Sequence, residues 1–310
     1  MSATGHIEIE KAICSMVQIT ASMVKDLRQR SGAGMMDCKK ALVETDGDFD
    51  KAVDFLREKG IAKAAGKTGR ETTEGRVATV VSADGRKGAI VEVGCETDFV
   101  ARTDDFKAFC DAVAEQAASE PAPKDLAEFL ARPFKKKPEV SVENALRELF
   151  AKLGENMLVR RVEQFETQNG GGLAAYVHPG DKLGVVVEFT GVTDTNSETF
   201  KTVARDVAMH IAATGPQAIS RDELDEALIE REREIYRQQA LNEGKPEKIV
   251  DKIVNGKIDK FYSEVSLLEQ AFVKDPDSTV GEMLKSKSAE IGEGVTVSRF
   301  SRFVLGETPK

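Results

Sequence analysis

Residues 76–100 read RVATVVSADGRKGAIVEVGCETDFV, and this stretch sets the fold class. Val77 to Val81 and Ala89 to Val93 are short β-branched runs separated by a turn at Asp84-Gly85, the pattern of an antiparallel hairpin. Immediately after it the period changes. A helix is expected from near Thr97, with Val100, Phe106, Phe109, Cys110, Val113 and Ala117 on one side. The same order recurs downstream: strands near Met157 to Phe165, Leu173 to Val177 and Leu183 to Thr190, then a helix carrying Phe200, Val203, Val207, His210 and Ile211. Sheet followed by helix, twice, predicts an α+β protein whose core is two related subdomains of mainly antiparallel strands.

Upstream, residues 19–60 hold three short helical patterns, each closed by glycine. Met23, Val24 and Leu27 line the first, Cys38, Ala41 and Leu42 the second, and Ala52, Val53 and Leu56 the third, with Asp48 as its N-cap. A basic, alanine-rich linker is expected at 61–74. Four prolines and the run Lys135 to Lys137 separate the first core helix from another at Val142 to Leu153. Densely charged residues 221–242 carry a thin stripe of Leu224, Leu228 and Ile235. Gly244-Lys245-Pro246 then reverses the chain, and Ile249, Val250, Ile253 and Ile258 continue it, so an antiparallel helical hairpin is expected. Val295 to Val304 reads as an edge or return strand that finishes the chain. The expected divisions are 1–18, an extension; 19–60, a three-helix domain; 61–74, a linker; 75–155 and 156–219, the two core subdomains; 220–258, the hairpin; and 259–310, the rest of the second subdomain.

Composition bears on function mainly by exclusion. The 310 residues carry 44 Lys and Arg against 53 Asp and Glu, a net charge of -9, so no global field draws the chain to nucleic acid. Apolar stretches such as Leu183 to Phe189 fall far short of the roughly 18 residues of a membrane span. No secretory leader is recognisable, and a cytoplasmic protein is expected. Cys14, Cys38, Cys95 and Cys110 form no CxxC pair, and His6, His178 and His210 are scattered, so no metal or cofactor is expected. Gly60 to Thr68 (GIAKAAGKT) resembles a phosphate loop but has one residue too many between its glycines and follows a helix instead of a strand. Gly32 to Asp37 imitates a dinucleotide fingerprint with Asp37 in place of the third glycine. No nucleophile elbow or zinc-protease motif is present, and a non-enzymatic role is expected.

Several separate motifs agree in order and spacing with one family. ITASMVKDLRQRSGAGMMDCKKAL (residues 19–42), CETDFV (95–100), GENMLVRR (154–161), AYVHPGDKL (175–183), MHIAA (209–213) and Gly244 to Pro246 together resemble elongation factor Ts of bacteria over about residues 19–306. The resemblance implies an N-terminal domain similar to ubiquitin-associated domains, the two-subdomain core and a protruding coiled-coil hairpin. It also implies a partner, elongation factor Tu, bound in its GDP and nucleotide-free forms, and guanine nucleotide exchange as the activity. Thr97, Asp98, Phe99 and Val100 match the segment that the family uses to dislodge magnesium from that partner. Arg28, Met35, Met36, Lys39 and His178 match its partner-binding positions. By residue type alone, a Phe in a first helical turn and the two Met side chains would be core, and His178 merely an exposed turn residue. Residues 1–18 precede the resemblance and are expected to be dispensable. The chain stops at Lys310, where some members of the family continue into a further helix. An adaptor built on the three-helix domain and the hairpin is the rival reading that fold analogy allows.

Overall fold

The computed structural model describes residues 19–31, 33–65, 71–168 and 170–307, so the expectations for 1–18, and for the part of the linker at 66–70, lie outside the described residues. α1 (Ala21–Ser31), α2 (Met35–Glu44) and α3 (Phe49–Ala65) pack around Leu27, Cys38, Ala41, Leu42 and Ala52. Asp48 caps α3 by accepting from the Asp50 and Lys51 amides, both at 3.1 Å. α3 does not stop before Gly60 as its glycine suggested. It runs to Ala65, because Ile-Ala-Lys-Ala-Ala is a strong helix-forming run that carries the helix past one unfavourable glycine. α3 lies along a later helix of the core, so the unit is docked against the rest of the chain.

The first half of the core is β1 (Glu74–Val81), β2 (Lys87–Cys95), α4 (Asp98–Ala101), α5 (Asp104–Ser119), α6 (Leu126–Ala131), the small hairpin β3 (Pro133–Phe134) and β4 (Lys137–Ser141), α7 (Val142–Leu153) and β5 (Met157–Glu166). The helix expected from Thr97 is broken in two, because Thr103 is a second N-cap whose hydroxyl accepts from the Phe106 amide. The order of elements had placed β5 in the second subdomain. It belongs to the first sheet, whose order is β1-β2-β5, pairing antiparallel with β2 after α7 carries the chain back across. The helix against which α3 rests is α7.

The second half repeats the plan. β6 (Gly171–Val177), β7 (Leu183–Thr190), α8 (Glu198–Thr214), α9 (Glu226–Asn242), α10 (Glu247–Val265), the hairpin β8 (Ala271–Phe272) and β9 (Asp275–Thr279), α11 (Val280–Ile291) and β10 (Thr296–Val304) complete the chain. The second sheet has the order β10-β7-β6, with β10 an edge strand as expected. α9 and α10 form an antiparallel pair held by Val250, Val254, Ile258 and Ala240 and by Arg237–Asp251 at 2.8 Å. They are inserted between α8 and the small hairpin. Without them, each half reads hairpin, helix, small hairpin, helix, return strand.

The sheets stack face to face. Ala89, Val91 and Val93 of β2 point at α5 and α7, while Ile90 points the other way to meet Phe165, Leu173, Val186 and Phe303 between the sheets. Val185, Val187 and Phe189 of β7 face α8 and α11. The order is therefore helices, sheet, sheet, helices, which explains why β2 and β7 are apolar on both faces. The approach is close at Gly184, where a Cβ would come within 2.6 Å of Val77 Cγ1.

The repetition extends to single atoms. In the first half, buried Gln116 accepts from the Lys135 amide and donates to the Pro133 carbonyl, both at 2.9 Å. In the second, buried His210 occupies the matching place, thirteen positions after its helix N-cap as Gln116 is after Thr103. Its Nδ1 accepts from the Val273 amide at 3.3 Å, so Nε2 carries the proton and donates to Gln270 Oε1 at 2.8 Å. Burial holds the His210 pKa below its usual 6.5. The folded chain resists a proton that the unfolded chain accepts, so this residue's contribution is full above pH 6.5 and declines as pH falls below it, levelling off beneath the folded value. His210→Gln, copying the first half, is expected to fold and to lessen that acid-side loss. Unfolding free energy measured between about pH 5 and 7 checks it.

Candidate functional site

β2 ends at Cys95 opposite Met157, the first residue of β5. Beyond that pair the ladder continues with side chains in place of carbonyls. The Asn156 amide donates to Glu96 Oε1 at 2.6 Å, and Thr97 donates twice to Glu155, from its amide to Oε2 at 3.0 Å and from its hydroxyl to Oε1 at 2.6 Å. The Thr97 hydroxyl also accepts from the Val100 amide at 3.4 Å, capping α4, while its carbonyl takes the Cys95 thiol at 3.1 Å and the Ala101 amide at 3.2 Å. Every polar atom of Thr97 is engaged.

One helical turn leaves Val100 buried in the first core and turns Asp98 and Phe99 outward. Asp98 pairs with Arg102 at 2.9 Å on the outer face. Phe99 is 81% exposed, more than any other large apolar side chain among the described residues. The expectation from residue type, a core Phe, is therefore wrong here. The ring lies outside the packed core that buries its neighbour Val100.

The remaining sequence candidates lie in two other places. Met35 and Met36 open α2 at 55% and 77% exposure, so neither packs inward as side-chain chemistry alone suggested. Lys39 follows them on the same helix face, and Arg28 is exposed on α1. His178 is exposed in the β6–β7 turn, its Nδ1 3.0 Å from the Tyr176 hydroxyl. That turn is tied to the start of β1 through Arg76–Asp181 at 3.0 Å and Lys182–Glu74 at 2.6 Å. Glu74 is the register partner of Cys95. His178 and Thr97–Val100 therefore occupy the same end of the double sheet. Sequence reading missed Tyr176 and Glu155. Tyr176 lies two residues before His178 on a strand, the spacing of one sheet face, and Glu155 sits within a motif that the resemblance had picked out without giving it a role.

Burial pushes the Cys95 thiol up to about 12, with Glu155 and Glu74 adding to the effect, and raises Cys110 further, the reverse of an activated nucleophile. An open cleft of about 610 Å³ between α5, α7 and β3–β4 has an apolar floor including Phe109, Phe134 and Leu149. Its rim charges are paired with one another, as Lys152–Asp105 and Lys137–Glu148, both at 2.7 Å. Among the described residues no group of three or more His, Cys, Asp or Glu is placed to hold a metal ion, and no helix is long and apolar enough to cross a membrane.

Comparison with known proteins gives one family. The family model for Elongation factor TS matches residues 96–307. Elongation factor Ts of Clostridium botulinum (strain Alaska E43 / Type E3) is 51% identical over 289 residues, covering 93% of both chains. The proteins of that name from Clostridium perfringens (strain SM101 / Type A) and Trichlorobacter lovleyi are 50% and 45% identical, again over 93% of each chain. With an α+β double sheet and this identity over nearly its whole length, the chain belongs to the elongation factor Ts family.

Proposed function

We propose that this protein is a cytoplasmic, non-catalytic guanine nucleotide exchange factor for elongation factor Tu in translation elongation. The observation that carries the reading is Phe99, exposed on a four-residue helix whose base is pinned at Thr97. A rigidly mounted aromatic ring loses little conformational entropy when it enters a partner's groove. Phe99 is the wedge, and Asp98, once released from Arg102, competes for contacts around the magnesium that bridges the partner to GDP. With that cation displaced, the phosphate charge is uncompensated and GDP leaves faster. By linkage, a factor that prefers nucleotide-free partner weakens nucleotide binding by the factor with which nucleotide weakens its own binding. No bond is broken. Capture of elongation factor Tu in the absence of nucleotide, with release on adding GDP or GTP, tests the assignment; capture indifferent to nucleotide would refute it and favour an adaptor.

The three-helix unit, read as ubiquitin-associated-like, supplies a second contact. Exposed Met35 and Met36 on α2, with Lys39 one turn further on and Arg28 exposed on α1, are read as an apolar patch edged by positive charge, a composition suited to the centre and rim of an interface. His178, oriented by Tyr176, supplies a third. Met36→Ala and Arg28→Ala are each expected to weaken binding of nucleotide-free elongation factor Tu by roughly five- to thirtyfold, with melting unchanged, because these side chains bury little in the free chain. Titration of partner against each variant by calorimetry measures this, and unaltered affinity in both would remove the patch.

A further inference from the structure

Building on the reading of Phe99 as a wedge, we infer that Glu155 is its positioning residue, fixing the angle at which α4 leaves the sheet. Antiparallel pairing ends at Cys95 and Met157, so the strand ladder stops short of Glu96–Thr97 and of Glu155–Asn156. Two carboxylates take over. Glu96 reaches across to the Asn156 amide, and Glu155 reaches back to both donors of Thr97. A carboxylate accepting two hydrogen bonds from one residue fixes its backbone amide and its χ1 together. With χ1 of Thr97 fixed, its hydroxyl lone pair faces the Val100 amide and starts α4 in one orientation. Phe99, two residues from the clamp and without a neighbour shielding it, takes its direction from that turn. The other side of the clamp is equally firm, since Gly154 caps α7 in the left-handed conformation at φ 82° and α7 carries the three-helix unit along its length. Glu155 thus joins the wedge to the element that bears the second contact surface. It touches neither partner nor nucleotide in this scheme.

The distinction between positioning and mere stability rests on a double-mutant cycle. Labelled GDP is preloaded on elongation factor Tu and its release followed against concentration of full-length factor carrying Glu155→Ala, Glu155→Gln or Phe99→Ala, or either Glu155 change together with Phe99→Ala. Glu155→Ala is expected to lower the maximal release rate about tenfold at an unchanged half-saturating concentration, because the docking surfaces are intact while the wedge is misaimed. Glu155→Gln keeps an acceptor for the Thr97 amide but presents a donor to the hydroxyl, so about threefold is expected with melting as in the parent. In the Phe99→Ala background both changes are expected to have less than a twofold effect, since there is no ring left to aim. An equal drop in both backgrounds, no drop at all, or a change confined to the half-saturating concentration would overturn the positioning role and leave the wedge standing. Full-rate release by Phe99→Ala alone would overturn the wedge and this role with it. If Glu155→Ala melts early, the Glu155→Gln arm decides by the same criterion.

Discussion

Phe99→Ala is expected to slow factor-stimulated release of GDP from elongation factor Tu by about thirtyfold or more, the effect of truncating a central aromatic anchor. The melting transition is expected to stay within about 2 °C of the parent. The second half of this expectation follows from exposure, because a side chain 81% accessible gives up almost nothing when trimmed, and surface substitutions of this kind stay within about 0.5 kcal/mol. A buried Phe would instead cost about 3–5 kcal/mol and melt early. Val100, its neighbour, is buried in the first core, so Val100→Ala serves as the contrasting control, losing stability before it loses exchange. Asp98→Asn is expected to share the kinetic defect in part, because it keeps the shape of the turn and removes the charge that competes around magnesium. Stopped-flow release of labelled GDP, together with thermal melting of the same samples, measures both halves. A folded Phe99→Ala protein that releases GDP at the parental rate would remove the wedge from the mechanism.

The contrast between Phe99 and Val100 shows where sequence reading reached and where it stopped. Alternation in Val77–Val81 and Ala89–Val93 made the first hairpin legible, and Thr97 was recognisable as a cap because its hydroxyl satisfies an amide only two or three positions away. Such local signals need no tertiary context. The strand read near Met157 to Phe165 is present as β5, but its place in the first sheet is not legible, since pairing across a whole helical excursion leaves no local trace. The small hairpins β3–β4 and β8–β9 and the helix α11 went unread for a related reason: strands of two to five residues carry too little periodicity, and the prolines nearby read as a separator. At the site, residue type argued that Phe99, Met35 and Met36 are core, and only the family resemblance pointed outward; their exposure is a property of surface geometry that hydropathy cannot express. Glu155 was hidden by distance in sequence. Its partner lies 58 positions away, and the contact exists only because β5 closes onto β2.

Placing β5 in the first sheet also changes what holds the two halves together. Each sheet is a separate hairpin plus a return strand, so no strand is shared and the halves are joined by what lies between them. Most of that layer is apolar, built from Val77, Ile90, Phe165, Leu173, Val186 and Phe303. Glu92 is two residues after Ile90 on the same face of β2, and a fully buried carboxylate in this layer is costly unless its partners are complete.

Glu92→Ala is accordingly expected to be the most destabilising single change considered, lowering the melting transition by on the order of 10 °C. The carboxylate meets Arg161 Nε at 2.7 Å and Arg160 Nε at 3.5 Å, and its Oε1 accepts from the Gly306 amide at 2.8 Å. A β-bulge makes this possible: Glu92 pairs with Arg161 and Val93 with Val159, so Arg160 is the extra residue and both guanidinium groups approach one carboxylate. Arg161 in turn lies 3.9 Å over the Phe303 ring and donates to the Val304 carbonyl at 2.9 Å, tying the first sheet to the end of β10. Removing the carboxylate leaves a largely buried cation unpaired and the Gly306 amide without its acceptor, and breaking such a pair costs about 3–5 kcal/mol. Glu92→Gln keeps an acceptor but not the charge, so its loss is smaller. Arg161→Lys also costs stability, because an ammonium can neither spread over Phe303 nor hold two acceptors in the guanidinium's fixed fork. Replacing both partners, as Glu92→Leu with Arg161→Leu, is expected to melt above Glu92→Ala, since it removes the uncompensated charge along with the pair. Calorimetric melting of the four variants at neutral pH orders these effects, and a Glu92→Ala protein that melts like its parent would show that the buried Glu92–Arg161 pair is not needed to join the halves.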